Sequence, residues 1–141
     1  MTTRRIPTTT TVSISIDVPS IAQGVAFYCG AFGFSKESEP VPGVAVLRGL
    51  NIEICLLEKP AGSKPSRNTS DLRKFERHWT PVHLDFHVDD LNASLKQVEA
   101  LGAQREQVFD NPEHGSAAFC SDPFGHGFCL LERTDKREGA A

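Results

Sequence analysis

The chain has 141 residues and a formal net charge of −3, with 15 basic and 18 acidic side chains. The basic residues are scattered, which argues against a nucleic-acid partner, and no apolar run is long enough to cross a membrane. The N-terminus, "MTTRRIPTTTT", lacks the apolar stretch of a secretory signal, so we expect a cytoplasmic protein whose four cysteines are free thiols.

The first predicted unit spans about residues 12–58. Apolar and polar residues alternate strictly in "VSISID" (12–17), which predicts a strand with one apolar and one polar face. A helix follows in "SIAQGVAFYCGAFGF", where Ser20 and Gln23 form a capping-box pattern and Gly33 marks the end. Three short strands are then predicted at about 34–38, 44–48 and 50–58.

Residues 59–81 form a predicted linker. Their content of proline, serine, glycine and charged residues is typical of a loop. Trp79 is the exception in this segment, because a lone tryptophan beside a polar strand is often packed or placed at the mouth of a pocket.

The second predicted unit spans about residues 82–132 and begins with "VHLDFHVDDL". On a helix, His83 and His87 would share a face and could chelate one ion. The alternation of apolar and polar residues instead predicts a strand, on which these histidines lie about 13 Å apart, so at most one of them can serve a given ion. A helix capped by Asp90 and ending near Gly102 follows, then strands at about 104–109, 116–121 and 127–132.

The two units repeat one pattern of strand, helix and three strands. The shift is 70 residues from Ser13 to His83 and 76 from Gly49 to Gly125, or 74 when the two "CLLE"-type endings are aligned. The two possible shifts for the last strand, 76 and 74 residues, are both even. Either one therefore predicts the same set of inward-facing side chains on that strand. The sequence therefore predicts a duplicated βαβββ unit, an α+β fold, in a single domain over residues 1–141.

Three motifs carry a resemblance to a known family. "FYCGAFGF", "VHLDFHVDDL" and "DPFGHGFCLLE", in this order on a visible duplication, resemble the vicinal oxygen chelate superfamily, which includes glyoxalase I, extradiol dioxygenases, and fosfomycin and bleomycin resistance proteins. The resemblance covers about residues 12–132. It implies two βαβββ modules that form a cupped mixed sheet around a small-molecule pocket, with helices on the outer face, and it suggests a homodimer.

The resemblance also implies where a metal would bind. The family's ligand positions, one on the first and one on the last strand of each module, fall on Ser13, Glu53, His83 and Cys129. His83 and Glu53 are good ligands and Cys129 is a soft one, so a site for zinc, manganese, nickel or iron would be incomplete. Glu53 is also the candidate catalytic carboxylate. The expected pocket lining is completed by Ser13, Ser15, Cys55, Trp79, Asp85 and His87.

Three functions compete at this point. The favoured one is binding of a small organic ligand, with Trp79, Phe109 and Phe124 available to stack on it. The second is a metal-dependent lyase, isomerase or dioxygenase acting on vicinal oxygens. The third is a non-catalytic interaction module, whose dimer surface is its whole function. As an alternative to a metal site, His83 and Glu53 could also form a buried acid–base pair.

Overall fold

A computed structural model describes residues 9–134, so most of the expected N-terminal tail and the last seven residues lie outside the described part. Ten elements form two βαβββ modules. Module one contains β1 (Ser13–Val18), α1 (Ile21–Phe32), β2 (Ser35–Val41), β3 (Val44–Gly49) and β4 (Ile52–Glu58). Module two contains β5 (Leu84–Val88), α2 (Leu91–Ala100), β6 (Gln104–Phe109), β7 (Ala117–Ser121) and β8 (Gly127–Glu132). In residues 9–134 neither helix is long and apolar enough to cross a membrane.

Each module has a four-stranded mixed sheet, which confirms the predicted α+β class. The strand orders are β1-β4-β3-β2 and β5-β8-β7-β6, and the first and last strands of each module pair in parallel. Ser13 lies opposite Glu53, and Asp85 lies opposite Cys129. Directly paired residues share a face, so each module has one polar face as the alternation predicted.

The helix caps are those that the sequence predicts. The Ser20 hydroxyl accepts a hydrogen bond from the backbone N–H of Gln23 at 3.1 Å, and Asp90 accepts one from Ala93 at 3.0 Å. Such side chains satisfy N–H groups that the first turn leaves without partners. Helix α1 ends at a left-handed Gly33, with φ of 81°. The short polar side chains thus fix where each helix begins.

Two glutamates fix the correspondence between the modules. The N–H of Ile21 donates to Glu58, and that of Leu91 donates to Glu132, both at 2.9 Å. Each glutamate ends the last strand of its module and binds the first residue of that module's helix. The equivalent glutamates are 74 residues apart, so the "CLLE" alignment is the structural one.

The modules meet through the faces that carry their helices. Phe32, at the end of α1, stacks on Phe86 of β5 with 3.7 Å between ring centroids. Phe27 of α1 packs at 6.3 Å from Phe128 of β8. Both partners belong to the apolar face of the second sheet, and they join one core with the aliphatic side chains of module one. The polar faces of both sheets therefore lie away from the contact between the modules.

A buried hydrogen bond also ties the modules together. Tyr28 of α1 donates its hydroxyl hydrogen to Asp122, which begins the turn between β7 and β8. The second carboxylate oxygen of Asp122 accepts from the backbone N–H groups of Phe124 and His126. Burial, followed by the nearby Asp122 charge, raises the pKa of Tyr28 well above its ordinary value. Tyr28 is therefore held as a neutral donor.

The linker, residues 59–81, contains no helix or strand and packs on the turn between β7 and β8. His126 contacts the carbonyl oxygen of Asp17 at 2.7 Å through Nε2 and His78 at 3.1 Å through Nδ1. Gly125 has φ of 88°, and a β-carbon there would lie 2.1 Å from the carbonyl oxygen of Glu76. Only glycine permits so close an approach, so this turn sets the position of residues 76–79.

Candidate functional site

A small cavity opens on the polar face of module two. Its volume is about 180 Å³, and its walls come from the linker and from strands β7 and β8. The lining residues are Arg77, Trp79, Thr80, His83, Phe119, Cys120, Gly127, Phe128 and Cys129. The cavity therefore contains His83 and Cys129, which were expected at a metal site, together with Trp79, which was expected at the mouth of a pocket.

Three potential metal ligands come together at this cavity. One donor atom each from His83, Asp85 and Cys129 lies within 4.8 Å of the others, and no other such group of three or more occurs in residues 9–134. His83 Nε2 is 3.1 Å from an Asp85 oxygen, and Cys129 lies directly opposite Asp85 in the sheet. Asp85 was expected in the pocket lining, on the same face as His83, where it could supplement the metal ligands; in the structure it lies where a third ligand would.

Burial shapes the chemistry of Cys129. Its environment raises the pKa of the thiol to about 11, first through burial and then through the charge of Asp85. The thiol is therefore protonated at neutral pH and is a poor nucleophile in that form. An ion that binds here has to displace this proton.

Aromatic side chains line the cavity and remain open to water. Trp79 is 78% exposed and Phe119 is 44% exposed. Phe109 packs edge-on against Phe119 with 5.0 Å between ring centroids. Phe124, expected to stack on a ligand, is instead 3% exposed, because it belongs to the core beneath the β7–β8 turn. Sequence reasoning missed Phe119, although its place opposite Cys129 follows from the β7–β8 hairpin.

Arg77 is the cation that lines the cavity, and its charge is already compensated. Its guanidinium binds both carboxylate oxygens of Glu106, with Nη2 at 3.1 Å from one of them. It also donates to the carbonyl oxygens of His78 and Gly125. These bonds fix the linker against the strands and leave little positive charge for a ligand.

Glu53 is not among the residues that line this cavity. It lies on the polar face of module one beside Ser13, and its carboxylate is 3.6 Å from Arg48. In the structural alignment, which has a shift of 74, its counterpart in module two is Gly127. Glu53 and Cys129 are equivalent only under the 76-residue shift that aligns Gly49 with Gly125. These glycines belong to different turns, because two residues join β3 to β4 and five join β7 to β8. The true counterpart of Cys129 is Cys55.

The polar face of module one is a separate surface within the chain. Ser13 and Ser15 are exposed, and Ser15 lies directly opposite the half-buried Cys55. None of these three residues lines the cavity of module two. The structure thus places these three residues on a different surface from Trp79, His83 and Cys129.

A larger depression of about 920 Å³ runs between the modules. It follows the outer edge of β5 and includes Asp85, His87, Val12 and Leu50 among its lining residues. It is open and mainly apolar, and it does not include His83 or Cys129. His87 therefore lies in this depression and not in the cavity of module two.

Comparison with known proteins agrees with this architecture. A family model described as "Glyoxalase-like domain" matches residues 13–131. No curated protein sequence matches the chain significantly.

Solved structures with the same fold are distant in sequence. A variant of the fosfomycin resistance protein FosX from Listeria monocytogenes, complexed with Mn(II) and 1S,2S-dihydroxypropylphosphonic acid, superposes with a TM-score of 0.68. It is 17% identical, and the match covers 89% of this chain and 91% of that one. FosX from Mesorhizobium loti matches at 16% identity, TM-score 0.63 and coverage of 89% and 93%. A glyoxalase-related enzyme from Fulvimarina pelagi matches at 14% identity, TM-score 0.67 and coverage of 94% of both chains.

Proposed function

Because the chain belongs to the glyoxalase-like domain family, we propose that it binds a small organic molecule in the cavity of module two. The observation that carries this proposal is the combination in one cavity of exposed aromatic rings, Trp79 and Phe119, with the polar anchors His83 and Cys129. Ligand sites are typically concave, with apolar walls and a few convergent polar groups. A volume of about 180 Å³ suits a compact ligand or one end of a longer one.

Chemical-shift mapping with a fragment library tests this proposal. Fragments that bind are expected to shift the amide signals of His83, Phe119 and Cys129 and the indole signal of Trp79. Signals of Ser15 and Cys55, on the polar face of module one, serve as the internal reference. Fragments that shift only residues outside the cavity, or none at all, would remove the basis of the proposal.

A metal-dependent activity is the second candidate, and the donor set supports it. Imidazole nitrogen, carboxylate oxygen and thiolate sulfur together suit zinc, which accepts all three and retains a fourth position for a ligand. Manganese, which the Listeria FosX variant holds, prefers oxygen and nitrogen ligands and fits a thiolate poorly. His83, Asp85 and Cys129 would hold the ion, which would supply polarisation of substrate oxygens for a lyase, isomerase or dioxygenase reaction.

Paired histidine variants test this candidate. We expect zinc to raise the melting temperature of the wild type, and expect nickel, iron and manganese to act more weakly. His83→Ala is expected to abolish the zinc effect. His87→Ala, four residues along the same strand, is expected to retain it. Equal responses of the two variants would show that the ion binds elsewhere.

We also propose a homodimer, because the strand edges that face the depression between the modules have no partner within residues 9–134. Strands β1 and β5 each pair with one neighbour in the described sheets, and Val12 is 76% exposed at this depression. Unpaired edges beside apolar surface favour association. A second copy could supply its module-one face, with Ser13, Ser15, Glu53 and Cys55, as another wall of the ligand site. Glu53 would then remain the candidate catalytic carboxylate.

A cytoplasmic location also remains a prediction. It is supported by the four cysteines, all of which are free in the structure. Thiols remain reduced in that compartment.

A further inference from the structure

Two imidazole rings meet outside the cavity, between the linker and the β7–β8 turn. Nδ1 of His126 and Nε2 of His78 are 3.1 Å apart, and both side chains are half-buried. We propose that these two residues, the histidine clasp, bind nickel(II). The clasp is a different site from the group of His83, Asp85 and Cys129, and it does not depend on ligand binding in the cavity.

The far nitrogen of each ring is held by a backbone carbonyl oxygen. Nε2 of His126 lies 2.7 Å from the carbonyl oxygen of Asp17, and Nδ1 of His78 lies 3.0 Å from that of Glu76. A carbonyl oxygen only accepts hydrogen bonds, so each of these nitrogens carries an N–H, and in a neutral imidazole the other nitrogen is then an acceptor. Histidines that bind metals have the same outer contact, which fixes the tautomer and the orientation of the ring.

The near nitrogens therefore meet as two acceptors. Their lone pairs repel each other at 3.1 Å unless a proton or a metal ion joins them. At a metal–nitrogen distance of about 2.0–2.1 Å, two ligand nitrogens lie about 2.9 Å apart at a right angle and about 3.4 Å apart at the tetrahedral angle. The observed separation lies between these values, so one ion can bond to both rings.

The number and type of donors indicate the ion. In residues 9–134 no third histidine, cysteine or carboxylate donor lies within 4.8 Å of both nitrogens, so water would complete the coordination. Nickel(II) and copper(II) accept nitrogen ligands in square-planar or tetragonal geometry and rank above iron and manganese in affinity. Copper(II) is reduced by thiols, of which the chain has four. Zinc suits the three donors at the cavity, because they include a thiolate.

The charges beside the clasp leave it open to a cation. Arg77 donates to the carbonyl oxygen of His78, but its charge is compensated by Glu106. On the other side, the buried Asp122 carboxylate accepts a hydrogen bond from the backbone N–H of His126. A divalent ion therefore meets no uncompensated positive charge among these neighbours.

An ion in the clasp would fasten one wall of the cavity of module two. Trp79 directly follows His78, Gly127 directly follows His126, and both of these neighbours line the cavity. The backbone N–H of His78 donates to the carbonyl oxygen of Gly125 at 3.2 Å, at the long end of the usual range. We expect the bound ion to hold these two segments together and to slow hydrogen exchange at the His78 amide.

Calorimetric titration with nickel(II) tests the clasp. It is best done in the Cys129→Ser background, which removes one donor of the other group, and it is expected to show one nickel ion per chain. His78→Gln and His126→Gln should each weaken this binding by at least about tenfold, since each leaves a single imidazole. His114→Gln, which removes an exposed histidine outside the clasp, is the matched control and should bind nickel as before.

Three results would overturn the proposal. Absence of nickel binding would show that a proton joins the two nitrogens instead. Equal affinities of His78→Gln and His114→Gln, or a loss of binding only in His83→Gln, would place the ion elsewhere. Unchanged exchange at the His78 amide with nickel bound would remove the fastening role. Because His78 belongs to the linker, which has no helix or strand, His78→Gln stays informative even if His126→Gln disturbs the turn.

Discussion

Replacing Tyr28 with phenylalanine removes one oxygen atom at the junction between the modules. The hydroxyl group is buried and donates to Asp122, whose other carboxylate oxygen is already occupied by the N–H groups of the β7–β8 turn. The variant keeps the aromatic packing of Tyr28 but leaves a buried carboxylate oxygen without its donor. Hydrogen bonds to charged groups contribute about 1.5–3 kcal/mol. We therefore expect the free energy of unfolding to fall by about 2 kcal/mol.

The size of this loss should depend on pH in a defined direction. The pKa of Tyr28 is raised in the folded protein, so the hydroxyl stays protonated there at a pH where it ionises in the unfolded chain. The stabilisation is therefore complete below about pH 10 and declines as the pH rises further. The difference between wild type and Tyr28→Phe should be largest near pH 8 and shrink towards pH 11.

Urea unfolding at several pH values, followed by circular dichroism, measures this difference. At pH 8 a loss of about 2 kcal/mol corresponds to a fall of about 6–8 °C in melting temperature for a chain of this length. A difference below about 0.5 kcal/mol, or one that stays constant from pH 8 to pH 11, would refute the role assigned to the buried pair.

Three further predictions concern the metal site, the core and assembly. Cys129→Ser should abolish zinc binding, whereas Cys55→Ser, at the equivalent position of module one, should retain it. Because the pKa of Cys129 is raised, zinc has to displace the thiol proton of the wild type. Calorimetry should therefore show that zinc binds about tenfold more tightly per pH unit between pH 6.5 and 8.5. Gly24→Ala should cost about 1–3 kcal/mol in thermal unfolding, because the new β-carbon would lie 2.8 Å from Leu56. Val12→Asp should shift the protein from dimer to monomer in light scattering without unfolding it, and a wild type that is monomeric at micromolar concentration would contradict the proposed assembly.

Alternation in the sequence was sufficient to predict β1 and β5 and their two faces. The residues of β1 and β5 alternate strictly, and the caps Ser20 and Asp90 mark the helix starts, so local chemistry determined both βαβββ units. The register of the last strands was harder to predict. Gly49 and Gly125 suggested one alignment, but Glu58 and Glu132, each bound to its helix, give the other. A two-residue shift leaves every side chain on the same face, which is why alternation cannot detect it.

The arrangement of the two modules did not follow from the sequence. Alternation shows that Phe86 lies on an apolar face, but it does not show that Phe32 from the other module stacks there. The cavity of module two could not be predicted from the sequence for the same reason. The cavity depends on how the linker packs on the β7–β8 turn, which brings Arg77 and Trp79 beside Cys129 across a long separation in sequence. Such contacts depend on tertiary packing and leave no periodic signal.

The aromatic contact between the modules also bears on how a duplicated chain of this kind arises. Phe27 and Phe32 belong to module one, yet their rings pack on the apolar face of module two. A single βαβββ unit on its own would leave such rings in water, at a cost of about 1.5–3 kcal/mol each. A half-length ancestor would therefore have needed a second copy of itself to be stable. Covalent joining of the two copies would have removed the concentration dependence of that pairing, and it would have freed each polar face to evolve separately.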